Sequence, residues 1–149
     1  MVRAIVIVGL VIGAIVLAML GSRLLDTAKD TADRPECNLL AGACDWTTQE
    51  GEWRVSLQEM EEGIQGMEYS LEVSVPKAPD RFLAVLKGQS MYMGEYPVPL
   101  VREESLEYRA RFTAPFCTTG SEMIWRIDFQ DGQDLIENVP STLVFRAEK

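Results

Sequence analysis

Apolar and polar residues alternate along most of the chain from Cys37 onward, which is the pattern of β-strands that bury one face. Turn signals such as Lys77–Asp80, Gly94–Pro99 and Asp131–Gly132 separate these segments. Short strands at regular spacing, with no helical pattern between them, predict an all-β antiparallel sandwich for residues 37–149. The predicted strands are about seven: EWRVSLQ, EYSLEVSV, RFLAVLKG, SMYMG, LEYRARF, EMIWRIDF and STLVFRA.

The stretch QEMEEGIQGME, residues 58–68, fits this pattern less well. Its spacing is compatible with a short helix, and equally with a strand end that runs into a loop. Both alternatives stay open at this point.

The N-terminal region has a different pattern, because residues 4–20 form an apolar run without a charged side chain. At 1.5 Å per residue this run spans roughly 26 Å, the short end of what crosses a bilayer. A cleaved signal peptide is the alternative, but LAMLGSRLL offers no convincing small-residue cleavage site. We therefore expect an uncleaved transmembrane signal anchor over residues 1–22 and a polar spacer over residues 23–36, ended by Pro35.

The expected orientation exports the C-terminal domain, which one helix anchors in the membrane. Arg3 precedes the span while Arg23, Lys29 and Arg34 follow it, so positive charges do not favour a cytoplasmic N-terminus. The expectation depends instead on the short N-terminal tail, the likeness to a signal anchor and the presence of cysteines in the domain.

Small residues within the apolar run suggest a contact with another membrane helix. Gly9 and Gly13 form a GxxxG pair, and such pairs allow helix backbones to approach closely in lipid. The same spacing also arises by chance in spans rich in glycine and alanine.

Charge and residue types exclude several function classes. The net charge is −9, which disfavours nucleic acid and anionic membrane surfaces as partners. The chain has no histidine, so catalytic Ser-His or Cys-His pairs and zinc–histidine sites are ruled out. No phosphate-binding loop, dinucleotide fingerprint or CxxC motif is present, and we expect a protein that is not an enzyme.

The three cysteines are Cys37, Cys44 and Cys117. In an exported domain at least one pair is expected to oxidise, and three cysteines allow three pairings. Whichever pair forms, one thiol remains, either buried as a small apolar residue or used as a metal ligand.

Two methionines, Met91 and Met93, stand one residue apart in SMYMG. If this segment is a strand, both side chains lie on one face. Thioethers and thiolates are the ligands that Cu(I) prefers, so the pair predicts half of a copper site. The third ligand would come from Met123, Met60 or the odd cysteine. The alternative is that both methionines simply fill the core between two sheets.

Three segments together resemble a family of small membrane-anchored periplasmic proteins of proteobacteria. The matching stretches are CNLLAGAC (Cys37–Cys44), MYMG (Met91–Gly94) and PFCTTGSEMIW (Pro115–Trp125). In outline the domain is similar to FixH- and YtkA-type periplasmic domains. This resemblance implies an immunoglobulin-like sandwich and a role linked to Sco-type copper delivery and assembly of haem-copper oxidases. Two stretches depart from the family pattern, EMEEGIQGM between early strands and EYPVPL after MYMG.

These observations lead to two functional hypotheses. In the first, the protein assists assembly of cytochrome oxidase in the inner membrane by handling Cu(I), with Met91, Met93 and Cys117 as ligands. Its partners would be the oxidase or its assembly factors. In the second, the protein is a non-catalytic accessory subunit of a respiratory membrane complex without bound metal, and its helix packs through Gly9 and Gly13.

Overall fold

A computed structural model describes residues 34–63, 66–115 and 122–148 of the chain. The predicted anchor over residues 1–22, with Gly9 and Gly13, lies outside the described residues, as does all of the predicted spacer except residues 34–36. The described residues contain eleven strands and no helix. These strands are β1 (Glu36–Asn38), β2 (Cys44–Thr48), β3 (Gly51–Gly63), β4 (Gly66–Ser74), β5 (Phe82–Gly88), β6 (Glu95–Pro99), β7 (Val101–Glu104), β8 (Glu107–Thr113), β9 (Glu122–Asp131), β10 (Asp134–Leu135) and β11 (Thr142–Glu148).

The strands form two sheets that pack on each other as an all-β sandwich. The first sheet has the order β1-β11-β9-β5-β6, with β10 paired to β9, and the second has the order β2-β3-β4-β8-β7. Every pair is antiparallel except β1 with β11. The predicted fold class is therefore confirmed at the level of a largely antiparallel β-sandwich.

The core follows the period-two pattern of the sequence. In β3 the buried residues are Trp53, Val55 and Leu57, and their neighbours face solvent. The same alternation buries one face of each of three further strands. Those buried residues are Tyr69, Leu71 and Val73 in β4, Tyr108 and Ala110 in β8, and Met123, Trp125, Ile127 and Phe129 in β9.

The two lateral sides of the sandwich are closed in different ways. On one side a disulfide joins Cys37 in β1 to Cys44 in β2, with the Cα atoms 6.2 Å apart, and so links the two sheets covalently. On the other side β6 passes through the buried Leu100 directly into β7, so the chain crosses from the first sheet to the second. Of the three cysteine pairings allowed by the sequence, the structure contains Cys37–Cys44.

One end of the sandwich, here called the turn end, carries the β2–β3 turn at Thr48–Gly51, the β7–β8 turn at Glu104–Glu107 and the β9–β10 turn at Asp131–Asp134. At this end Asp131 accepts hydrogen bonds from the backbone N–H groups of Asp80 and Arg81 at 3.2 and 2.8 Å. These bonds hold the segment that leads into β5.

Two sequence predictions about elements are wrong, and one alternative is resolved. The segment SMYMG is a loop rather than a strand, and most of the predicted turn Gly94–Pro99 is strand β6. Prolines are tolerated there because β6 is an edge strand. Residues 58–63 belong to β3 and residues 66–68 to β4, so the strand-end alternative holds and the helix does not.

Candidate metal centre at the methionine end

The loop that carries Met91 and Met93 connects β5 to β6 and is anchored to β9 at its base. The N–H of Gln89 donates to the carbonyl oxygen of Ile124 at 2.9 Å. The N–H of Ile124 in turn donates to Oγ of Ser90 at 3.3 Å. These two bonds fix the start of the loop on β9, directly beside Met123.

Gly88, the last residue of β5, determines how closely the loop approaches the sheet. A Cβ atom at this position would collide with the carbonyl oxygen of Met91 and lie 2.6 Å from Cε of Met123. Only a glycine therefore permits this close packing. The backbone of Met91 and the side chain of Met123 meet at Gly88, which brings two of the methionines that sequence reasoning singled out to one place.

The methionines of this group differ in exposure. Met91 is 50% exposed, Met93 is partly buried against the core, and Met123 is 2% exposed. Tyr92, between the first two, is 85% exposed and points away from the protein. Because Met91 and Met93 lie in a loop, the prediction that they share one strand face is wrong. Gly94 follows with φ +89°, a backbone conformation that favours glycine, and turns the chain into β6.

All five methionines between residues 34 and 149 lie at the end of the sandwich opposite the turn end, here called the methionine end. Met60 and Met67 lie near the tip of the β3–β4 hairpin, Met91 and Met93 in the β5–β6 loop, and Met123 at the start of β9. In the second sheet, however, β3 is next to β2, on the side of the sandwich that the disulfide closes. In the first sheet β5 is next to β6, on the opposite side. Met60, one candidate for the third ligand, therefore lies on a different hairpin from Met91. Met123, the other methionine candidate, lies beside Gly88 at the base of the loop that carries Met91.

Cys117, the cysteine predicted as a copper ligand, lies outside the described residues. The strands that flank it are described: β8 ends at Thr113 opposite Glu68, and β9 begins at Glu122 opposite Glu148. Both of these strand ends are at the methionine end.

The electrostatic environment near the loop is a cluster of charged side chains on the outer face of the first sheet. Nζ of Lys87 lies 2.9 Å from Glu95 and 3.4 Å from Asp128, and Arg126 contacts Asp128 at 2.9 Å. Burial lowers the pKa of Lys87, but the hydrogen bond to Glu95 and the charge of Asp128 outweigh it, so the pKa is raised above its usual value. Sequence reasoning missed this cluster, because its members are distant in sequence and only the strand register brings them together.

The other polar groups that the structure describes form no comparable site. Among the described residues, no three His, Cys, Asp or Glu side chains are placed to hold a metal ion together. A polar depression of about 240 Å³ lies on the outer face of the second sheet. Arg109, one of the residues that line it, already donates to Glu72 at 2.7 Å and to Glu103 at 2.9 Å.

Comparison with protein-family models finds no match, and no curated protein or solved structure matches the chain significantly. The likeness to FixH- and YtkA-type domains thus depends on the three sequence motifs alone. Within the described ranges, no helix is both long and apolar enough to cross a membrane.

Proposed function

We propose that the protein is anchored in a bacterial inner membrane, exposes its sandwich to the periplasm and handles Cu(I) during assembly of a respiratory cytochrome oxidase. The observation that supports the copper part is that the backbone of Met91 and the side chain of Met123 meet at Gly88, with Met93 two residues further along the same loop. The membrane and oxidase parts are supported by the apolar run of residues 4–20 and by the three motifs. On the same basis we assign the sandwich to the immunoglobulin-like type.

The donor atoms suit this cargo. Cu(I) is a soft cation that binds neutral thioether sulfur well, so the site needs no charged ligand. Met91 is half exposed and provides an entry point for the ion, while Met93 and Met123 are held by the core. A site with one accessible ligand suits transfer by ligand exchange, in which a partner's ligand replaces Met91 first. Cys117 remains in the proposal as a further ligand.

The test is an anaerobic Cu(I) titration of the full chain in mild detergent, in competition with a chromophoric chelator. The wild type is expected to take up one equivalent. A Met91→Leu, Met93→Leu double variant is expected to lose at least tenfold in affinity, since leucine keeps the volume but removes both sulfur atoms.

The matched control is Tyr92→Phe, which alters the same loop without removing a sulfur atom and is expected to bind Cu(I) as the wild type does. Met123→Leu and Cys117→Ser, measured singly, identify the remaining ligands. No uptake by the wild type, or equal uptake by the double variant, would exclude the copper function.

The second function, an accessory subunit without metal, is favoured by the burial of Met93 and Met123 in or against the core. On this hypothesis the methionines only pack. Replacement of Gly9 and Gly13 by leucine then prevents recovery of the membrane complex, whereas the Met91→Leu, Met93→Leu variant retains its function. Recovery of an intact complex with the glycine variants would count against it.

A further inference from the structure

The edges of the two sheets are protected to different degrees. In β6, Tyr96 lies opposite Leu86 and Val98 opposite Ala84, and the N–H of Leu100 donates to Phe82 at 3.0 Å. The hydrogen bond at Leu100 means that alternate residues, Val98 and Tyr96, also bond to β5. The backbone nitrogens of the residues between them, Pro97 and Pro99, therefore point away from β5 toward the open side of the sheet. Because proline has no N–H, this edge lacks two of the donors that an added strand would need.

Within the described ranges, the second half of β3 has no strand paired to it on the β2 side. The ladder between β2 and β3 ends at the pair Cys44–Val55, whereas β3 continues to Gly63. On the other side β3 is paired with β4 up to Glu59 and again at Glu62 and Gly63. Among the described residues, no strand pairs with Ser56–Gly63 on the β2 side, and the stretch contains no proline. We call Ser56–Gly63 the open edge.

The register of the open edge shows which part is regular enough to pair with another strand. Ser56 to Glu59 match Glu72 to Tyr69 of β4 one to one, and a bulge follows between Glu59 and Glu62. A bulge bends and twists the strand. An added strand is therefore expected to pair along Ser56–Glu59 and to reach the side chains beyond the bulge only through their charges.

Those charges select the partner. Glu59, Glu61 and Glu62 are exposed, and the open edge carries no basic residue. A second copy of the chain would bring these carboxylates close to their own counterparts, which is unfavourable. A segment with lysine or arginine would instead gain ion pairs in addition to backbone hydrogen bonds.

We propose that the open edge binds an extended basic segment of another protein, which adds a strand to the second sheet beside β3, in line with β2. Backbone hydrogen bonds along Ser56–Glu59 provide the pairing, and the three glutamates provide the selectivity for positive charge. Because the contact area is small, the interaction is weak. Because the glutamates are exposed, salt screens their attraction for the partner.

The probe for this proposal is an eight-residue peptide of alternating lysine and valine, labelled with a fluorophore and titrated into the full chain. Binding is measured by anisotropy, and the site by amide hydrogen exchange followed by NMR. Alternate amides of the open edge are expected to exchange at least tenfold more slowly with the peptide bound. A Glu59→Gln, Glu61→Gln, Glu62→Gln variant is expected to bind at least fivefold more weakly.

Two controls separate strand addition from plain charge attraction. The first is the same peptide with alternate backbone nitrogens methylated, which keeps the charge but cannot pair, and it is expected to bind at least fivefold more weakly. The second is the variant Glu52→Gln, Glu104→Gln, Glu107→Gln, which removes equal charge elsewhere and is expected to bind as the wild type does.

Three results would each overturn the proposal. The first is equal binding of the methylated peptide, which indicates charge attraction only. The second is protection that falls outside the open edge. The third is protection, in the free monomeric chain, of those amides of Ser56–Glu59 that do not bond to β4, which means that another part of the chain already covers the edge.

Discussion

The two ends of the sandwich differ in whether methionines accompany the aromatic rings. Near the turn end, aromatic rings pack in a connected cluster: Trp46 stacks on Trp53 at 5.5 Å, and Phe82 contacts Phe129 at 5.4 Å and Tyr108 at 5.0 Å. The methionine end also has aromatic rings in its core, but only this end has methionines.

The difference has a physical meaning. Aromatic rings have few rotamers and bury large areas, so a ring cluster has one well-defined arrangement. Methionine is unbranched and flexible, and it fills irregular spaces with little strain. The rings therefore define the fold at both ends, while the half-exposed Met91 gives the methionine end a side chain that can change its rotamer when something binds. That division fits a cargo or partner site at the methionine end.

The largest effect expected from this comparison is on stability. Trp53→Ala removes a ring that contacts Trp46, Phe82 and Phe129, and it is expected to lower the free energy of unfolding by about 3–5 kcal/mol. At the other end Met123→Leu keeps the volume and is expected to lose less than about 1.5 kcal/mol. Urea unfolding of the full chain, followed by circular dichroism, measures both.

Equal losses in the two variants would contradict the contrast between the ends. In that case the methionine at the start of β9 would be as tightly specified by its surroundings as the rings are.

Most of the fold was predictable from the sequence because alternation reports directly on burial. Trp53, Val55 and Leu57 face the core as their spacing predicts, and so do Met123 and Trp125. Strands β1, β7 and β10 have only two to four residues, too few for a period-two pattern to emerge. Strand β2 was missed although Cys44 and Trp46 alternate with Asp45 and Thr47, a signal that was present.

The candidate site was predicted less well, because its geometry depends on contacts between distant residues. The alternation of Met91 and Met93 indicated a strand, but the hydrogen bonds of Gln89 and Ser90 to Ile124 hold the segment as a loop. The approach of Met123 depends on the absence of a side chain at Gly88. Neither feature leaves a local pattern in the sequence.

A second, smaller effect tests whether Gly88 organises the methionine end. Gly88→Ala places a Cβ against the carbonyl oxygen of Met91 and Cε of Met123, so the β5–β6 loop must move. A loss of about 1–3 kcal/mol in unfolding free energy is expected, as for other overpacked sites. If the copper proposal holds, the Cu(I) affinity also changes.

The control for this variant is Gly42→Ala. No atom lies within 4 Å of a Cβ at Gly42, and the residue is not in the left-handed region. Its unfolding free energy is expected to stay within about 0.5 kcal/mol of the wild type. A Gly88→Ala variant as stable as Gly42→Ala would show that the loop moves at no cost, and would remove Gly88 from its organising role.

The smallest effect concerns pH and compares one ion pair at each end. Lys87 is partly buried between Glu95 and Asp128, whereas Lys77 at the turn end lies 3.7 Å from Glu50 with 75% of its side chain exposed. Because the folded protein raises the pKa of Lys87, its contribution to stability is fully present below the unfolded value of about 10.5 and is lost as the pH rises through the folded pKa. The wild type is thus expected to lose up to about 1 kcal/mol of unfolding free energy from this group above pH 10.5.

Lys87→Met is expected to remove that part of the alkaline slope, and Lys77→Met to leave it, when unfolding is measured from pH 8 to 11. The same slope in wild type and Lys87→Met would mean that the cluster on the outer face does not couple the charge of Lys87 to folding.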